Sequence, residues 1–261
     1  MTNLAKSIDF SGQKIYVGLD VHALNWNVTT CSDHIILKTF HMAADLNLLV
    51  NYLNSNYPGA SFEIAYEAGF SGFWLQRKLQ QLNFQCIVVN PGDVPQTNKN
   101  ALNKTDKIDS KRIALALRTR QLKGIFIPSE TQEDDRIILR QRAQLVKSIT
   151  RTKNMIKSFL HFKGIQIPQP FKNHASKKFI TWLKSIEHKE ASSRLALDQK
   201  IKHLEFLRSE LSEVTRHIRM LMKSDKYIQH TTVLRSIPGI GEIICYAFIT
   251  EIGEIKRFGS F

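Results

Sequence analysis

The sequence predicts an α/β domain built on one mixed sheet, followed by an all-α region. Two observations predict the first part. Three strand-like runs follow one another near the N-terminus, and helical periods then alternate with short apolar strands up to about residue 125. A third observation predicts the second part: beyond that point apolar residues recur at spacings of three, four and seven over long stretches.

The elements follow in order. Residues 14–21 (KIYVGLDV) are rich in strand formers and end at an acid. Asn27 to Cys31 and Ile35 to Phe40 give two more strands, joined by the turn-like Ser32-Asp33-His34. Ala43 to Leu53 has a helical period, with Leu46, Leu49, Val50 and Leu53 on one face, and Tyr57-Pro58-Gly59 breaks it. Phe62 to Tyr66 reads as a strand, Gly72 to Leu82 as a helix, and Gln85 to Val89 as a buried strand stopped by Asn90-Pro91-Gly92. A third helix is expected from Asp106 to Leu122, with Thr105 as its N-cap.

In the second part Ile138, Leu145, Ile149, Ile156 and Leu160 mark one long helix, and Leu204, Leu207, Leu211, Val214, Ile218 and Leu221 another. The second set has the 3,4 alternation of a coiled-coil seam. The two helices, joined by the proline-bearing segment Gly164 to Lys178, would form an antiparallel hairpin or pair between chains. Ile237-Pro238-Gly239-Ile240-Gly241 before an apolar run resembles a helix-hairpin-helix turn. Its glycines allow a tight turn, and the next helix's N–H groups could hold a phosphate. The expected division is 1–125, 126–230 and 231–261.

Composition excludes several classes. The longest apolar run, Ile243 to Ile249, is seven residues, far short of the ~20 a spanning helix needs, so no membrane partner is expected. The N-terminus lacks an apolar signal-peptide core. The cysteines at 31, 86 and 245 make no CxxC pair, which removes a zinc ribbon or disulfide framework. A cytoplasmic, nucleoid-associated protein is expected.

The formal charge of +14 is unevenly distributed. Residues 1–125 carry 13 basic and 9 acidic side chains, and residues 187–261 carry 12 and 10. Residues 126–186 carry 12 and 4, and from Arg136 to Ile186 there is no acid at all. A solvated helix face normally mixes both signs, because opposite charges at i,i+4 support it. This stretch instead suits a phosphate backbone, with Arg136, Arg140, Arg142, Lys147, Arg151, Lys153 and Lys157 as contact candidates.

Four acids stand where chemistry is plausible. Asp20 ends the first strand, Glu67 follows the strand 62–66, and Asp106 and Asp109 open the third helix three residues apart, on one face. Converging carboxylates repel, and a divalent cation relieves that; oxygen-only ligands suit Mg²⁺ or Mn²⁺. Each acid also has a structural reading: a strand-end turn for Asp20, a surface position for Glu67, a helix-dipole contact for the pair at 106 and 109. His22 could assist such a site or be merely structural. Lys104, Lys107, Lys111 and Arg112 crowd the second acid pair and are candidates for steering a nucleic-acid backbone, as are Gly239 and Gly241 in the turn.

The segments VGLDVH, FEIAYEAG, VVNPGDV and KTDKIDSKRIA together resemble the RuvC-like DEDD domain of the insertion-sequence one-ten (IS110) family of transposases, which includes Piv-type DNA invertases. VLRSIPGIGEIICYAFITEIGEIKRF resembles that family's second domain. The resemblance implies an RNase H-like fold over 1–125, with Asp20, Glu67, Asp106 and Asp109 as catalytic metal ligands. It implies DNA as partner, a structured guide RNA in some members, and metal-dependent cleavage with strand transfer. A homo-oligomer through the coiled-coil region is also expected.

The family's nucleophilic serine lies downstream of the PGIG motif, and Ser260 does not match its context, so a C-terminally shortened recombinase is expected. Three functions stay open at this point: a transposase, a RuvC-like nuclease or resolvase, and a nucleic-acid-binding remnant without catalysis.

Overall fold

The computed structural model describes residues 9–95, 106–171 and 176–259. The chain forms two compact units, 1–127 and 128–261.

In the first unit five strands form one sheet. They are β1 (Lys14–Val21), β2 (Asn25–Cys31), β3 (Ile36–Ala43), β4 (Ser61–Glu67) and β5 (Gln85–Val89). Their spatial order is β3-β2-β1-β4-β5. β1 pairs antiparallel with β2 and parallel with β4, so the sheet is mixed, as the strand succession predicts. Among the described residues three helices serve it: α1 (Leu46–Asn56), α2 (Trp74–Gln81) and α3 (Asp106–Arg118).

β1 is buried on both faces, and its side-chain alternation separates two packing layers. Ile15, Val17 and Leu19 join Leu49 and Leu53 of α1 and Leu75 and Leu79 of α2 in one core. Tyr16 joins Ala65, Ile113, Ala114 and Leu117 in the other, under α3. The period of two therefore places Gly18 and Asp20 on the α3 face.

The helix ends follow local chemistry. Asp45 caps α1 by accepting from the backbone N–H of Asn47 at 2.7 Å and of Leu48 at 3.2 Å. α3 stops at Arg118, four residues before the expected Leu122, because Arg120 takes a positive φ of 56°. The N–H groups of Arg120 and Gln121 then donate back to the carbonyls of Leu117 and Ala116, a Schellman closure without glycine.

The second unit is helical: α4 (Glu130–Phe162), α5 (Lys177–Ser185), α6 (Ala191–Met222), α7 (Ile228–Arg235) and α8 (Glu242–Ile252). Helix α5 has no counterpart among the sequence expectations. α4 and α6 have 33 and 32 residues, about 50 Å each at 1.5 Å per residue. They run antiparallel: Arg142 near the start of α4 donates to the Thr215 hydroxyl at 3.2 Å, while Lys200 lies over the Phe159 ring at the other end. Leu145, Ile149, Ile156 and Leu160 pack against Leu197, Ile201, Leu204 and Leu207, with Phe179 and Leu183 of α5 added. Ile218 and Met222 pack with Tyr227, Cys245, Tyr246 and Ile249. The apolar seam read from the sequence is thus filled within one chain.

Candidate active site and nucleic-acid interface

Two of the four acids are brought side by side by strand pairing. The parallel register aligns Gly18 with Ala65 and Leu19 with Tyr66, so Asp20 and Glu67 are the next step on adjacent strands. Ala65 belongs to the α3 layer, and Glu67, two residues on, shares its face. Neighbouring strands lie about 4.8 Å apart, so the two carboxylates leave the sheet together at the same end. His22, on the same side, places Nε2 3.0 Å from Asp20 Oδ2.

The helix bearing the other two acids crosses at that place. A Cβ on Gly18 would meet the Ser110 carbonyl oxygen at 2.1 Å and the Ala114 nitrogen at 2.4 Å, so backbone touches backbone there. The buried hydroxyls of Thr29 and Ser110, 2.9 Å apart, fix the first turns of α3 over β2. Asp109, next to Ser110, is mostly buried and accepts from Arg112 Nη1 at 2.7 Å. Arg112 also donates to the carbonyls of Pro95 and Val94. It therefore ties α3 to the segment after β5.

Sequence reasoning did not single out Asn27 and His41. Asn27 is buried opposite Asp20 on β2, and its Oδ1 lies 3.4 Å from His41 Nδ1. The signal was the alternation of Asn27 and Thr29 in β2, which puts both on the α3 face. Lys104, Thr105 and Ser260 lie outside the described residues, as do the side chains of Asp106 and Lys107. Lys111 is exposed on α3. Among the described residues, no three His, Cys, Asp or Glu side chains converge closely enough to hold a metal ion.

The basic residues of α4 divide by environment. Arg136 is 11% exposed and donates to the carbonyls of Thr250 and Glu251 at 2.7 and 2.8 Å. It closes the C-terminal end of α8 and points inward. Arg140 is open to solvent and reaches Glu251 at 3.6 Å. Arg142 bonds Thr215, and Lys153 is half-buried. Lys147 and Arg151 are exposed and line a groove of about 850 Å³ with Lys200, Met155, Phe159 and Phe162. Lys157 is exposed on the same helix. The spacing of 140, 147 and 151 sets these three bases on one helical stripe.

The Pro-Gly turn joins α7 to α8, with Gly239 at φ 88°. Gly241 is the N-cap of α8 and offers no side-chain cap. Among the described residues no helix is long and apolar enough to cross a membrane.

A family described as transposase, the DEDD transposases of the IS110 type, matches residues 17–164, more than half of the chain. The transposase for insertion sequence element IS1533 of Leptospira borgpetersenii is 25% identical over 251 residues, 94% of this chain and 71% of its own length. The protein y4qE of Sinorhizobium fredii is 26% identical over 204 residues, covering 77% and 48%. The transposase for element IS1328 of Yersinia enterocolitica is 26% identical over 197 residues, covering 76% and 57%. The chain thus spans between about half and about seven-tenths of these relatives, and it belongs to the IS110 transposase family.

Proposed function

We propose that the chain binds DNA and supplies the carboxylate site for metal-dependent cleavage and strand transfer of an insertion sequence. The observation that carries this reading is the register of Asp20 and Glu67 on adjacent parallel strands, beneath the first turns of the helix that bears Asp106 and Asp109. The sheet order and its mixed pairing are compatible with an RNase H-like, RuvC-like domain over 1–125. The basic helical region over 126–230 and the helix-hairpin-helix motif over 231–261 would hold the nucleic acid.

The donor set fits a hard cation, since the four acids offer only oxygen. Asp20, Glu67, Asp106 and Asp109 would hold Mg²⁺ or Mn²⁺. When bound, the cation would stabilise charge on the attacking and leaving oxygens of an in-line displacement at a backbone phosphorus. The protein groups do the rest. His22 orients the Asp20 carboxylate through its 3.0 Å contact. Asn27 walls the site on the β2 side. Asp109 joins the set by exchanging its Arg112 partner, and Arg112 then becomes available to a backbone phosphate.

Lys147, Arg151 and Lys157 would follow the phosphate backbone, and the exposed Phe162 offers a ring on which an unpaired base of DNA or guide RNA could stack. A homo-oligomer built on the α4–α6 pair would use its outer faces, because the seam is already filled.

The test is cleavage and strand transfer of element-end DNA in Mg²⁺, with Asp20→Asn and Glu67→Gln beside the unaltered chain. Loss of cleavage with DNA binding retained supports the reading. Retained cleavage in both variants removes the site assignment. Hydrolysis without strand transfer would favour a nuclease.

A further inference from the structure

The turn from α6 to α8 gathers three cations around a single acid. Arg219 lies in the last turn of α6, Lys223 just beyond it, and Arg235 ends α7. Glu242 opens α8. Arg219 Nε donates to Glu242 Oε2 at 2.7 Å, and Arg235 Nη1 lies 3.7 Å from Oε1. Together with Lys223 they line a cavity of about 480 Å³. Arg219, with Arg235 and Lys223 behind it, holds the Glu242 carboxyl below the ordinary carboxylate range.

Three positive charges against one negative leave a local surplus. The guanidinium groups are more than half exposed and reach solvent. Ion pairs of that exposure contribute little net stability, because water competes for both partners. An incoming anion can therefore replace the carboxylate at small cost. A phosphodiester presents the same paired oxygen acceptors to a guanidinium fork as a carboxylate does. The positive end of α8, where Gly241 provides no side-chain cap, faces the same place and favours the same charge. None of these bases belongs to the acid-free stretch 136–186.

We propose that Arg219, Lys223 and Arg235 form a binding site for a backbone phosphate of nucleic acid, which Glu242 fills as an internal counter-anion until the phosphate displaces it. The inference rests on the reading that the chain binds nucleic acid, and it adds a contact outside α4 together with a brake on binding.

The test uses the full chain, with a duplex DNA and an RNA hairpin of equal phosphate number as probes, in fluorescence anisotropy across a salt series. Arg219→Ala and Arg235→Ala should each lower the slope of log K against log salt by about 0.9. Glu242→Gln should tighten binding by roughly fivefold, the scale of one exposed ion pair. Glu187→Gln removes the same charge at an exposed position elsewhere and should have a smaller effect. In the Arg219→Ala, Arg235→Ala background the gain from Glu242→Gln should vanish. Thermal melts confirm folding of each variant.

Loss of slope with DNA, RNA or both supports the site and names its polymer. Unchanged slopes with both, or equal gains from Glu242→Gln and Glu187→Gln, overturn it while leaving nucleic-acid binding by the unaltered chain intact. If the unaltered chain binds neither probe, both readings fall.

Discussion

The backbone carbonyl of Ser110 occupies the space that a side chain on Gly18 would need, at 2.1 Å from an ideal Cβ. Strand and helix therefore meet at a distance only glycine permits. Gly18→Ala must lift α3 from the sheet, because the opposing atoms are backbone and cannot rotate away. The expected cost is about 3 kcal/mol or more, at the upper end of overpacking. Urea unfolding of the variant would measure it. Ser110→Ala, which removes the hydroxyl contact with Thr29, should cost about 1 kcal/mol.

Asp135 is the buried acid of the helical unit, at 9% exposure. Its carboxylate accepts from Tyr227 Oη and Lys226 Nζ, and its backbone carbonyl accepts from Tyr246 Oη at 3.2 Å. Asp135→Ala leaves the Tyr227 hydroxyl buried without its acceptor, so a loss of about 1–3 kcal/mol is expected. The double variant with Tyr227→Phe should recover part of that loss. Denaturant midpoints for the three variants check the coupling.

Arg136 and Arg151 should separate in function although both lie on α4. Arg136→Ala takes the side-chain donor from the Glu251 carbonyl and one of two from the Thr250 carbonyl, and should lower stability, with the salt dependence of DNA binding unchanged. Arg151→Ala should leave stability unchanged and lower the salt slope by about 0.9. Melting curves and a salt titration on the same samples distinguish the two.

Two buried thiols set an alkaline limit. Burial pushes Cys31 up to about 11 and Cys86 up to about 12, from an ordinary value near 9. Below pH 9 both the folded and unfolded chains keep these protons, so stability is unaffected. Above pH 9 the unfolded chain loses them first, and stability should fall as pH rises towards 11. Cys31→Ala with Cys86→Ala should flatten that fall in a pH series of unfolding midpoints. At pH 7.5 neither thiol should react with iodoacetamide in the folded chain.

Much of the first unit is legible in the sequence because β1 and β5 are short, apolar and bounded by turn residues. Residues 14–21 and 85–89 are read with their observed limits. The end of α3 was not legible, since a positive φ at Arg120 carries no residue signature. Helix α5 was hidden because the basic, proline-led segment before it reads as a linker. The acids Asp20 and Glu67 are visible one at a time as strand-end residues. Their adjacency depends on the parallel pairing of β1 with β4, which residues 47 positions apart cannot reveal by spacing. Gly18 did leave a signal, a glycine inside a strand rich in β-branched residues, where close backbone approach is a usual reason.

The side chains of Gln132 and Arg136, in the first turns of α4, are satisfied by carbonyls of Thr250 and Glu251. The helical unit is thus sealed by partners more than a hundred positions apart in the chain. Closing so long a loop costs entropy before any contact repays it. During synthesis, then, the α4–α6 pair can zip early, while the end around Asp135 has to wait for α8 to leave the ribosome. Until that moment the nascent chain presents the unmatched side-chain donors of Gln132 and Arg136 and an open apolar rim, the species most exposed to proteases and chaperones.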